Sequence, residues 1–227
     1  MANQSATLKK EGEVSIITLD DGKANAFSLA MSEAVNECLS DVPRDSGALI
    51  LTSRPGIFSG GFDLKTISSG DAKAATAMRF AGLTLFADLF SFPRPVVIAC
   101  NGHAIALGAF MLLAADYRIG AAGDYRIWAN EIGNNMSIPK AILEVTKIRI
   151  DPSHWYRAIM HSEPYSIEDA VAPGYLDEVV PQDVLMDKAF EKAGELAKLA
   201  HPFYEMTKTW AQAEVLQRIR DSIGDNR

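Results

Sequence analysis

With 227 residues, 48% of them hydrophobic and 22% charged, the chain has the composition of a globular protein with a sizeable core, which excludes disordered and fibrous classes. A formal net charge of -7 argues against a broadly basic nucleic-acid or anionic-membrane surface. Two cysteines, Cys38 and Cys100, outside any CxxC or disulfide-dense pattern, an N-terminus without a leader pattern, and no stretch near the roughly 18 apolar residues of a membrane span together suggest a cytoplasmic protein with reduced core thiols.

In chain order, "VSIITLD" (14–20) predicts a strand closed by Asp21 and Gly22, and "FSLAMSEAVNECLSDV" (27–42) a helix with Ser28 as N-cap. "ALILTS" (48–53) predicts a second strand, followed by the loop "GIFSGGFDLK" (56–65). Helical spacing of Met78, Ala81, Leu85, Phe86 and Leu89 predicts one long helix over 71–92, stopped by Pro93 and Pro95. "PVVIACNG" (95–102) reads as a buried strand, "LGAFMLLAAD" (107–116) as a short apolar helix, and "YRIGAA" and "YRIWANEI" as two further strands. This alternation implies parallel strands joined by crossovers, an α/β class. Beyond Pro139 the β signal fades, and 153–162, 166–180, 183–200 and 203–220 are all read as helices, the third with Leu185, Ala189, Ala193, Leu196 and Ala200 on one stripe.

Chemistry is expected where two strands end in small-residue turns that run into apolar helices, "GIFSGGFDLK" and "NGHAIALGAFMLLAAD" (101–116). First-turn amides are unpaired and carry positive potential, so two such turns brought together would bind a developing oxyanion. Gly60, Gly61 and Gly108 would let the backbones approach; tight turns and helix packing alone would also explain them. His103, His154, His161 and His201 lack metal-ligand spacing, and Ser59 is not in a GxSxG elbow, so no metal and no covalent serine chemistry are expected.

"IFSGGFDLK" resembles the "FSAGADLK" signature of the enoyl-CoA hydratase/isomerase (crotonase) superfamily, and the second stretch resembles its "NGxALGGGxELxxxxD" signature. The likeness runs from "GKANAFS" through "YLDEVV" to the "TK" of Thr207 and Lys208. It implies a crotonase-like spiral of repeated ββα units over 1–150 carrying the acyl-CoA site, and a helical region over 151–227 for packing and oligomerisation, as a homotrimer or dimer of trimers. It further implies that the backbone amides of Phe62 and Leu107 polarise a thioester carbonyl, with coenzyme A entering as part of the substrate and no other cofactor.

Family hydratases use two glutamates, but the first position is Phe110 here, which would line the acyl pocket. "WANEIGNNMSIP" aligns on its "NE" and its proline, placing Glu131 at the second position and Asn135 where the family usually has glycine. One carboxylate suffices to move a proton between carbons, so isomerisation between Δ3 and Δ2 is favoured over hydration, with a non-catalytic acyl-CoA binder as a further alternative. Lys23 and Ala24 of "GKANAF", with Lys65, are candidate coenzyme A contacts. Asp63, counted with the same loop, and Asp116 match acidic positions of the two motifs, where loop and cap hydrogen bonds are expected.

Overall fold

The computed structural model describes residues 5–224. Its first two strands, β1 (Ala6–Glu11) and β2 (Val14–Leu19), form an antiparallel hairpin turned at Gly12, and α1 (Leu29–Ser40) follows with the Ser28 side chain accepting from the Met31 N–H. Three similar units come next: β3 (Ala48–Ser53) and β4 (Gly56–Ser59) lead to α2 (Leu64–Ser68) and α3 (Ala72–Phe90); β5 (Val96–Cys100) and β6 (Gly102–Ile105) lead to α4 (Leu107–Leu112); and β7 (Tyr117–Ala121) and β8 (Arg126–Trp128) lead to α5 (Lys140–Arg149).

In each of these units the first strand joins one sheet and the second joins another. After α6 (Pro152–Trp155), β9 (Tyr165–Ser166) and β10 (Glu178–Val180) complete the two sheets, in the orders β1-β2-β3-β5-β7-β10 and β4-β6-β8-β9. That alternation is the expected spiral of ββα units. Parallel pairing runs from β2 through β10, and β3 and β5, buried on both faces at the middle of the sheet, read as apolar runs for that reason. Leu49 and Leu51 enter the main core with Val96 and Ile98, whereas Ala48, Ile50 and Val97 face a second core roofed by Leu185, Ala189 and Ala193 of α7 (Leu185–Ala197). The last helix, α8 (Phe203–Gly224), is tied to the sheet where Lys208 Nζ donates to Asp116 Oδ2 at 2.7 Å, an oxygen that also accepts from the Val96 N–H. Among the described residues no helix is long and apolar enough to cross a membrane.

Two expectations fail. The helix expected over 166–180 is instead a turn segment running from β9 into β10. Its Ile167, Ala170 and Val171 mimic helical spacing, but Pro173 and Gly174 (φ +87°) break the chain direction, and Asp177 is drawn to Arg118 at 2.8 Å, delivering β10 to the edge beside β7. Nor does the first glycine loop run into an apolar helix: α2 is five residues long, has no buried residue, and is separated from α3 by Ser69, Gly70 and Asp71. Its N-cap Asp63 accepts from the amides of Lys65 and Thr66, so α2 is a surface turn rather than a core element.

Candidate active site

The "GKANAF" turn and the "SGGF" turn are joined by hydrogen bonds. Asn25, fully buried at φ 48°, donates from Nδ2 to the carbonyls of Ile57 (3.2 Å) and Phe58 (3.3 Å), and its own carbonyl accepts from Ser59 Oγ at 2.7 Å. Ser59 Oγ in turn accepts from the Gly61 N–H at 3.1 Å, Gly60 N–H donates to the Ala24 carbonyl at 2.8 Å, and Gly61 O accepts from the Phe27 N–H at 2.7 Å. Asn25 and Ser59 are organising residues that the motif reading passed over. The bonds that join the two turns through them span more than 30 positions, so no local pattern marks that role.

Parallel pairing of β4 with β6 carries this turn to the second motif. Ala106 donates its N–H to Trp128 O at 2.8 Å and sits at φ 52°, ψ -126°, a conformation that costs a non-glycine residue about 1–3 kcal/mol. That bend starts α4 at Leu107. Neither the Phe62 nor the Leu107 N–H has a backbone acceptor among the described residues, which leaves both amides free to donate. The two backbones are close: a Cβ built on Gly61 would stand 3.2 Å from the Leu107 nitrogen, and one on Gly82 of α3 would stand 2.6 Å from the Phe62 ring and 3.3 Å from Leu107 Cδ2. Gly82, unmarked in the sequence, is where α3 supports both side chains.

Gly108 has a packing reason of its own, since a Cβ there would fall 2.4 Å from Ser59 O. Gly60 lies against Ala24, 3.3 Å from its Cβ by the same construction. Phe110 is buried in the main core at 1% exposure. Asp63 is held below the usual carboxylate range first by the Thr66 hydroxyl, consistent with its capping role. Lys23 and Lys65 are exposed at the rim of these turns, with the Lys23 carbonyl accepting from Arg54. His103 accepts from the Arg126 N–H at 3.1 Å and stacks edge-on with Tyr125.

Glu131 arrives through β8, whose Trp128 pairs with Ile105 of β6, so one strand fixes both the Leu107 amide and the glutamate loop. A short 3-10 turn from Ile132 follows and closes at Asn135, in the left-handed region at φ 58°, ψ 32°. Glycine or asparagine suits that left-handed position. Glu131 is 7% exposed, its Oε2 has no hydrogen-bond partner, and burial pushes its pKa up to about 7, opposed in part by a hydrogen bond from its own backbone. A carboxyl group so poised exchanges protons readily near neutral pH.

The family model described as enoyl-CoA hydratase/isomerase matches residues 9–223. Carnitinyl-CoA dehydratase of Salmonella enteritidis is 32% identical over 206 residues, spanning 87% of this chain and 76% of its own length. Two solved structures of a Mycobacterium tuberculosis protein are also similar. One, named a probable enoyl-CoA hydratase, is 39% identical with a TM-score of 0.93, covering 97% of this chain and 93% of that one. The other, named an enoyl-CoA isomerase, is 37% identical with a TM-score of 0.90, covering 98% and 97%.

Proposed function

The chain belongs to the enoyl-CoA hydratase/isomerase family, enzymes that act on coenzyme A thioesters, and within it we propose an isomerase that moves a double bond between the Δ3 and Δ2 positions of an enoyl-CoA. The observation that carries this reading is a single buried carboxyl group, Glu131 with its pKa near 7, where the other position used by family hydratases is the core residue Phe110.

The amides of Phe62 and Leu107 would donate to the thioester oxygen and stabilise the enolate formed when a C2 proton leaves. Each such donor is typically worth about 100-fold to 1000-fold in rate. Glu131 as carboxylate takes the C2 proton, the electron pair passes into the enolate, and the protonated Glu131 then delivers a proton to C4, leaving the double bond between C2 and C3. No cofactor beyond the coenzyme A of the substrate enters this scheme. Gly60, Gly61 and Gly108 serve it by letting the two turns close on each other, and Lys23 and Lys65 are placed at the rim for phosphate contacts. A groove of ≈ 470 Å³ lined by Ala72, Lys73, Thr76, Ala77 and Phe80, N-terminal to Gly82 on α3, adds Lys73 to these cations and offers an apolar wall.

The test is turnover of 3-enoyl-CoA against trans-2-enoyl-CoA, followed through the absorbance of the conjugated thioester. Conversion of the 3-enoyl substrate is expected to be the faster reaction. Hydration of the 2-enoyl substrate without isomerisation would make the protein a hydratase, and saturable binding with neither reaction would make it an acyl-CoA binder.

A cytoplasmic homotrimer is part of the same proposal. Phe203 (68% exposed), Met206 (41%) and Trp210 (71%) share one face of α8, an apolar stripe suited to subunit contact. Light scattering coupled to gel filtration should give three times the 24.6 kDa chain mass, or a multiple of it, and a monomeric mass would remove the assembly part of the reading.

A further inference from the structure

Beside Glu131 the fold buries a row of aromatic side chains whose polar atoms have no protein partner. Tyr175 is fully buried with an unpaired hydroxyl, Tyr165 is 5% exposed with an unpaired hydroxyl, and Nδ1 of half-buried His154 is unpaired too. Ring centroids are 6.0 Å apart for Tyr165 and Tyr175 and 6.2 Å apart for His154 and Tyr165. At the inner end, Tyr165 and Glu131 both lie within electrostatic reach of the Tyr175 phenol. At the outer end, His154 is within reach of Asp151 and of Glu163, itself paired with Arg157 on the surface.

An unpaired buried hydroxyl costs about 1–3 kcal/mol, and phenylalanine at either tyrosine position would avoid it. Native proteins keep few such groups, and the neighbouring Tyr175, Tyr165 and His154, with the unpaired Glu131 oxygen within electrostatic reach of Tyr175, are accounted for when water bridges them. We infer that Tyr175, Tyr165 and His154 form a water-bridged proton relay between the Glu131 carboxyl group and solvent. The inference rests on Glu131 being the acid/base of the proposed reaction, and the relay groups act through it without touching substrate.

Once Glu131 holds the proton taken from C2, it passes that proton to the first bridging water; each hydroxyl and water accepts a proton from the Glu131 side and hands its own on toward solvent, and the reverse transfer brings an exchanged proton back. Glu131 ends with a solvent-derived proton, which it gives to C4. Nothing is oxidised and no net charge moves. Burial, before any neighbouring charge, holds both phenols above their ordinary pKa, so transfer along the row is concerted rather than through a resting phenolate.

Isomerisation of 3-enoyl-CoA in D₂O, with product analysed by mass spectrometry for deuterium at C4, reads the relay separately from turnover. The wild-type product should be largely deuterated. Tyr175→Phe and Tyr165→Phe should each lower the deuterated fraction about five-fold, while isomerisation, which needs only Glu131 to carry a proton from C2 to C4, persists. Both variants should fold and melt close to the wild type, because the hydroxyl removed has no protein partner. Were Tyr175→Phe to misfold, Tyr165→Phe decides alone. Unchanged deuterium content in the folded variants, or a wild-type product without deuterium, overturns the relay and leaves the isomerase reading standing. A wild type that neither isomerises 3-enoyl-CoA nor exchanges the C2 hydrogens of butanoyl-CoA overturns that reading and the relay with it.

Discussion

Replacing Glu131 by glutamine is expected to lower kcat/KM for 3-enoyl-CoA by about 10²-fold to 10⁴-fold, the usual contribution of a positioned acid/base group. The substitution keeps size and hydrogen-bonding shape and removes only the ability to take a proton. In the wild type the active form is the carboxylate, so kcat/KM should rise with pH, bend at about pH 7 and level off above it, falling about tenfold per unit below the bend. The variant should lose that bend along with the rate. A variant within about threefold of wild type, or a profile flat from pH 5 to 9, would remove Glu131 from the mechanism.

The same substitution should stabilise the fold, and the pH window follows from the direction of the shift. Glu131 is held at about 7 in the folded protein against 4.5 for an ordinary glutamate, so between these values the folded state binds more protons than the unfolded one. Stability therefore falls as pH rises through that interval and stays low above it, a penalty of about 3 kcal/mol at about 1.4 kcal/mol per unit. Glu131→Gln lacks the penalty. It should be more stable than wild type at pH 8 in urea titrations, with the advantage shrinking toward pH 4.5. An active-site acid kept at a cost to stability is what a functional role leads one to expect, because a purely structural glutamate would be paired.

The large sheet was legible because its middle strands are buried on both faces and read as plain apolar runs, as "ALILTS" does with Leu49 and Leu51 on one side and Ile50 on the other. The small sheet was legible only at β8, which lies within "YRIWANEI". β4 and β6 are four residues each, begin with glycine and overlap the two motifs, so they read as turns. β1 lies at a sheet edge, ends in the consecutive charged residues Lys9, Lys10 and Glu11, and carries little apolar signal. In the site, backbone-aimed positions such as Gly61 and Leu107 announced themselves through their motifs. Asn25, Ser59 and Gly82 act across long sequence separations, by hydrogen bonds or by close approach, and leave no local pattern.

Gly61→Ala is expected to separate the two halves of the site, and it tests the backbone part of the mechanism as Glu131→Gln tests the carboxyl part. Gly61 has φ +88°, where a side chain is strained, and its new Cβ would meet Ala106 Cβ at 2.7 Å, Ile105 O at 3.0 Å and the Leu107 nitrogen at 3.2 Å. Ala106 cannot yield cheaply, since it is already held in a costly bend and bonded to Trp128 O. Relief must come from moving 105–107 away from 61–62, which pulls the two amides out of reach of one oxygen. A fall in kcat of about 10²-fold to 10³-fold should result, the cost of a misplaced oxyanion donor, with a stability loss of about 1–3 kcal/mol. Affinity for a saturated acyl-CoA, measured where the variant is folded, should change far less, because a ground-state thioester gains little from the oxyanion donors. Gly194→Ala in α7, where an added Cβ meets nothing within 4 Å, should instead stabilise by about 0.5–1 kcal/mol and leave kcat alone. If Gly61→Ala kept its kcat while losing the same stability, Gly61 would be a packing glycine, and the meeting of the two turns would have no part in the chemistry.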